Sequence, residues 1–141
     1  MTKVFVDTNI VLDLLQKRMG FYEEAQQLFT LADAKAVELY VSALTIANTH
    51  YILSKYLKME ARKVLSKFKV LVEILPTNDK ILSLSLTSNF PDFEDAIQYY
   101  TAVENEIGFI ITRNKKDFIQ STIPILTARE YLELFSSRTS I

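Results

Sequence analysis

The side chains here that can do chemistry are mostly oxygen donors, and they recur at the ends of apolar runs. Val4-Phe5-Val6 leads straight into Asp7, Thr8 and Asn9. Further on, Asp92 and Asp95 stand three apart with Glu94 between them, and Asn114 and Asp117 follow the run Phe109-Ile110-Ile111. Carboxylates that converge in one cleft repel each other and raise each other's pKa unless a cation lies between them. Oxygen donors with no cysteine, and with His50 as the single histidine, suit Mg²⁺ or Mn²⁺ rather than Zn²⁺. Such an ion polarises a phosphoryl oxygen, lowers the pKa of a bound water and stabilises a leaving oxygen. Metal-dependent phosphodiester hydrolysis is therefore the reaction these residue types favour.

The elements that must position these groups are legible from periodicity. Val4-Phe5-Val6 is a strand buried on both faces, and Ile10, Val11, Leu14 and Leu15 continue it as a helix. Gly20 is a plausible helix stop, and an amphipathic helix comes next over 21–35. The alternation of 37–41 predicts a strand, with Ser42 capping a helix over 43–56 and a second helix over 59–70. Residues 72–75 form a short strand closed by Pro76, and Asn78 or Asp79 caps the next helix. Asp92 opens a periodic helix that ends before Gly108, with Phe93, Ala96, Ile97, Tyr100 and Val103 inward. A buried strand over 109–112, a polar loop, an edge strand over 123–126 and a helix from Thr127 to about 135 complete the chain. Residues 136–141 are expected to fray. This alternation specifies a three-layer α/β/α domain: a mostly parallel central sheet with helices on both faces.

In open parallel sheets ligands gather beyond the carboxyl ends of the strands, which makes Asp7 a first-rank site candidate. Asp7 or Thr8 is equally suited to cap the adjoining helix. Acids in a first helical turn also stabilise the macrodipole, so Asp92, Glu94 and Asp95 have a structural explanation, with Asp92 as N-cap. That explanation leaves Asp7 uncovered.

The bulk numbers are those of an ordinary globular protein. A chain of 141 residues, 49% hydrophobic and 23% charged, is read as one domain with a real core. No apolar run reaches the ~18 residues that span a membrane, and Asp7 and Asp13 interrupt what would be a signal-peptide core. A cytoplasmic location is expected. A net charge of −1 argues against a broadly basic nucleic-acid-binding surface, although bound cations would supply local positive charge to phosphates.

Four segments, in order and over nearly the whole chain, resemble the PIN domain family. They are Val6-Asp7-Thr8-Asn9, Val41-Ser42-Ala43-Leu44-Thr45, Asp92-Phe93-Glu94-Asp95-Ala96, and Ile111-Thr112-Arg113-Asn114-Lys115-Lys116-Asp117-Phe118. The branch they resemble is that of toxin ribonucleases of type II toxin–antitoxin pairs. The resemblance implies a PIN-like fold, Mg²⁺- or Mn²⁺-dependent endoribonuclease activity on RNA, frequent homodimerisation and inhibition by a small antitoxin protein. By position, Asp7 matches the first metal-binding acid and Asp95 the acid of the Asp-Ala helix. Asp117, or else Asn114, falls where the fourth acid lies. Thr8 or Asn9 would hold the Asp7 loop or a water.

The second family acid is usually a Glu, and Asn48 stands in its position. A neutral carbonyl completes a coordination shell but brings no charge. Asp92 and Glu94 are the acids available to compensate. The expected metal set is thus Asp7, Asp95, Asp92, Asp117 and Asn48, with Asp7, Asp95 and Asp92 as the catalytic acids. The same departure motivates a different reading, a degenerate PIN module that binds RNA or a partner without cutting. An aspartyl-nucleophile phosphatase at Asp7 would want a second acid two residues on, where Asn9 is an amide.

Arg113, Lys115 and Lys116 lie beside the acidic edge and are candidates for RNA backbone contacts, with a solvated, charge-screening loop as the alternative. Lys17 and Arg18 are a second candidate pair. Lys55, Lys58, Arg62, Lys63, Lys67 and Lys69 read mostly as outer helix faces, and His50 as a packed or surface residue. Tyr51, Tyr56, Tyr99 and Tyr100 read as core packing, with base stacking as the alternative.

Overall fold

The structure, a computed structural model, describes residues 2–139. Strand β1 (Lys3–Val6) leads into α1 (Thr8–Leu15) and α2 (Tyr22–Asp33). Then come β2 (Glu38–Ser42), α3 (Ala43–Leu57), α4 (Glu60–Phe68) and β3 (Glu73–Leu75). Helices α5 (Asp79–Leu86) and α6 (Phe93–Glu104) precede β4 (Phe109–Ile111), β5 (Ile125–Leu126) and α7 (Ala128–Thr139). A 3-10 turn over Lys115–Phe118 occupies part of the segment expected to be a plain loop.

All strand pairings are parallel, and the sheet order is β3-β2-β1-β4-β5. Alternate residues of β1 serve opposite layers. Val4 and Val6 join Leu39, Val41 and Ile111 against the layer that includes α1, α2 and α3. Phe5 joins Ile110, Tyr99, Ala102 and Phe118 beneath α6. Burial of each such large apolar side chain stabilises the fold by about 1.5–3 kcal/mol. A strand buried on both sides has no solvent face for a polar residue, which is why Val4-Phe5-Val6 is continuously apolar.

Three expectations differ from the structure. Helix α1 ends at Leu15, and it is Lys17, with φ of 50°, that first turns left-handed; Gly20, with φ of 86°, lies in the next turn. Helix α7 continues through Thr139, past the expected end near 135; at its start Thr127 and Glu130 form a reciprocal capping box. The last residues of the tail expected to fray lie outside the described residues. On α6, Phe93 and Val103 are 44% and 37% exposed, while Gln98, Tyr99 and Thr101 are buried. The helix is covered by α5 as well as by the sheet, so its buried arc is wider than one apolar stripe.

Gly108 lies against the start of β1. Its N–H donates to the Lys3 carbonyl at 2.9 Å, and a Cβ there would stand 2.7 Å from Thr2 Cγ2. That contact sets the start of β4 beside β1, so the two strands end at one edge of the sheet.

Candidate active site

The chain leaves β1 in one direction to build β2 and β3 and in the other to build β4 and β5, so the order reverses between β1 and β4. The crevice beyond the carboxyl ends of strands at such a switch point is where α/β sheets hold ligands. Asp7 follows β1 there, and Thr112 follows β4. The Asp7 N–H donates to the Ile111 carbonyl at 3.0 Å, continuing the ladder past the last paired residue. Its Oδ1 accepts from the Thr8 N–H at 2.9 Å and caps α1. Capping and site formation therefore coexist in one side chain.

A buried polar network surrounds Asp7. Thr112 Oγ1 donates to Asp7 Oδ2 at 2.8 Å, and Gln98 Nε2 donates to Oδ1 at 3.2 Å. The same amide nitrogen lies 2.7 Å from Thr45 Oγ1, and the Gln98 carbonyl oxygen accepts from Ser42 Oγ. Thr8 and Thr45 share a hydroxyl contact at 2.8 Å. Ser42 also caps α3 by accepting from the Thr45 N–H at 3.0 Å. Gln98 is the member of this network that sequence reasoning missed. Its one signal is its place three residues after Asp95, on the same helical face.

A cleft of about 540 Å³ opens over this network, lined by Asp7, Thr8, Asn9, Asn48, Glu94, Asp95, Gln98 and Asn114 among others. Asp7 and Asp95 come together in it, and Asn48 reaches it from α3. Asn9 lies against the β4 exit, its amide 3.4 Å from Thr112 Oγ1. Asp92 does not line the cleft: it is exposed, and its Oδ1 accepts from the Asp95 N–H at 3.0 Å as the N-cap of α6. Asp117 also stays outside the lining, in the 3-10 turn. Both still act through charge. Burial, then the neighbouring carboxylates Asp92, Asp7, Asp117 and Glu94, push the Asp95 carboxyl up to about 7. Asp7 is raised as well, chiefly by burial, against the opposing bonds from Thr112, Gln98 and Thr8.

The basic residues expected at RNA are otherwise engaged. Arg113 turns away from the cleft: its Nε lies 3.0 Å from buried Asp13 Oδ2, and its guanidinium sits 3.9 Å over the Phe21 ring. Arg18 joins the same group, 3.8 Å from Asp13. Lys115 pairs with Glu130 at 3.0 Å, an exposed contact that holds it only loosely. Lys116 is exposed and outside the cleft lining. His50 does not line the cleft either. Tyr99 and Tyr100 pack with Phe90 as expected, whereas Tyr51 and Tyr56 are 64% and 53% exposed and are not core.

The donor set is oxygen throughout, and neither Asp7 nor Asp95 forms an ion pair among the described residues. Two coupled, partly desolvated carboxylates without a protein counter-charge suit a hard divalent cation, and Asp7 Oδ2 has lone-pair capacity beyond its one bond from Thr112. Among the described residues, no three acidic or histidine side chains converge as a ready-made ligand group. An ion here would depend on one or two carboxylates and several waters, the usual arrangement for Mg²⁺.

Residues 3–116 match the family model of the PIN domain, and the chain belongs to that family. Among its relatives is the ribonuclease VapC1 of Aquifex aeolicus (strain VF5), 28% identical over 140 residues that cover 96% of each chain. A toxin–antitoxin complex from Klebsiella pneumoniae contains a chain 26% identical, with a TM-score of 0.66 over 89% of this chain and 97% of that one. VapBC2 from Rickettsia felis, solved bound to a DNA fragment from its promoter, shares the fold at 22% identity, with a TM-score of 0.65 over 89% and 97% of the two chains.

Proposed function

We propose that this chain is a divalent-metal-dependent endoribonuclease that hydrolyses RNA phosphodiester bonds, and that it is the toxin of a toxin–antitoxin pair. The observation that carries this is Asp7 beside Asp95 at the strand crossover, a carboxylate pair that forms no ion pair among the described residues. The names of the relatives from Aquifex aeolicus and Klebsiella pneumoniae support the reaction and the pairing.

Asp7 and Asp95 would hold a Mg²⁺ or Mn²⁺ ion, and Asn48 would offer it a neutral carbonyl oxygen. Asp92 and Asp117 act on it by charge or through water, with Glu94 and Asn114 at the rim. Once bound, the ion supplies Lewis-acid activation of the phosphate and of a water. Gln98 and Thr112 fix the Asp7 carboxylate in one orientation, while Thr8 and Asn9 brace the loop that carries it. No side-chain nucleophile is required. A small antitoxin protein, a homodimer and action in the cytoplasm complete the proposal. Among the described residues, no helix is long and apolar enough to cross a membrane.

Cleavage of a panel of RNAs in Mn²⁺ tests the reading. The native chain should cut and should be silent in EDTA. Asp7→Asn keeps a capping oxygen but removes the charge, so it should lose cleavage at least about 100-fold with an unchanged far-UV spectrum. Unchanged cleavage would remove Asp7 from the mechanism.

Asn48 in place of an acid favours a second reading: a degenerate module that binds RNA or a partner without cutting. Calorimetric titration separates the two. Absence of Mn²⁺ binding at millimolar metal supports the non-enzymatic module.

A further inference from the structure

We propose that Tyr51 and Lys55 on α3 form a platform for single-stranded RNA, on which one base stacks against the Tyr51 ring while Lys55 engages the adjoining phosphate. This deepens the ribonuclease reading and rests on it. One stripe of α3, Leu44, Asn48, Tyr51, Ile52 and Lys55, lines the wall of the cleft that has Asp7 and Asp95 in its lining. At about 1.5 Å of rise per residue, Tyr51 lies one turn and Lys55 two turns along the wall from Asn48. A strand whose phosphate sits at the acids therefore meets an aromatic face first and a cation next.

The state of the two side chains fits the role. Tyr51 is 64% exposed, so its ring is not serving the core. The Lys55 ammonium lies 4.6 Å from the ring centroid, in a cation–π contact that holds the pair together at the surface. Among the described residues, Lys55 is the one basic residue in the lining of an otherwise acidic cleft. Of the other nearby basic groups, Arg113 is held against Asp13, Lys115 is loosely paired with Glu130, and Lys116 lies outside the cleft lining. Every base offers a π-face, so stacking of this kind takes any unpaired sequence; a base held in a duplex is already stacked and cannot lie on the ring. The substrate class is thus an unpaired loop or single strand with no strong sequence demand at this position.

The test is fluorescence anisotropy with a short fluorescein-labelled single-stranded RNA and the duplex of the same sequence. Ca²⁺ replaces Mg²⁺ and Mn²⁺, and RNA integrity is checked on a gel. The native chain should bind the single strand more tightly than the duplex. Tyr51→Ala should raise Kd for the single strand about 5- to 100-fold, while Tyr51→Phe, which keeps the π-face, stays within about twofold. Lys55→Gln should lower the magnitude of the slope of log affinity against log salt by about 0.7 for the one phosphate lost. No binding of the single strand, equal binding by Tyr51→Ala, or equal loss in Tyr51→Phe would each overturn the proposal. Cleavage in Mn²⁺, run alongside, keeps the two readings apart. Tyr51-dependent binding without cleavage leaves the platform standing and removes the nuclease; cleavage with Tyr51-independent binding does the reverse.

Discussion

The amide of Gln98 donates to Asp7 Oδ1 across 3.2 Å, and so joins the middle of α6 to the end of β1. Because the same side chain also bonds Ser42 and Thr45, it ties three elements to the carboxylate at the floor of the cleft.

Gln98→Met keeps the volume and removes both polar ends. It leaves Ser42 Oγ without its carbonyl acceptor and Asp7 with one fewer donor, so it should destabilise the protein by about 1–3 kcal/mol in urea denaturation. Cleavage should fall further than this loss of folded protein explains, since Asp7 is then held only by Thr112 and the Thr8 N–H. Native stability in Gln98→Met would show that the network does not depend on the amide.

Asp95 predicts how stability depends on pH without metal. Its carboxyl is raised from the ordinary 3.8 to about 7 in the folded protein, so the folded state binds the extra proton between those values. For such a group stability is greatest below about 4 and is lost as pH rises through 7. In EDTA, Tm should therefore decline between pH 5 and 8, and Asp95→Asn should flatten the decline. Added Mn²⁺ should restore Tm at pH 8 in the native chain, because it binds the ionised form, and should do so much less in Asp95→Asn. A native Tm that rises over the same range in EDTA would contradict the coupling.

Asp13 and Arg113 form a strut behind the site. Asp13 is 1% exposed on α1, and Arg113 sits between Thr112, which bonds Asp7, and Asn114, which lines the cleft. Arg113→Met strands a buried carboxylate with only Arg18 nearby, at a cost of about 3–5 kcal/mol near neutral pH. Burial already raises Asp13, and Arg113 opposes that rise. With Arg113 gone, protonation relieves the strain, so the loss should be smaller at pH 4.5 than at pH 8. Equal losses in urea denaturation at both values would show that Asp13 does not titrate in this way.

By itself, the sequence determined the alternation of strands and helices, the parallel sheet, and Asp7 at the end of a buried strand. It also determined the caps Ser42, Asp92 and Thr127, and narrowed a fourth to Asn78 or Asp79, of which the structure uses Asn78. These are short-range properties, set by hydrophobic period and by which side chains satisfy free N–H groups within a turn. Tertiary structure alone decided which partners meet Asp7. Gln98 and Thr112 stand 91 and 105 residues from it in the chain, and nothing local marks them as its donors. It also decided that Arg113 turns toward Asp13 and that Tyr51 is bare. The rotation of a helix about its own axis is fixed by what packs on each side of it. Packing at the strand ends buried Gln98 against Asp7, Ser42 and Thr45 and left Phe93 exposed, against the pattern of the helix's own residues.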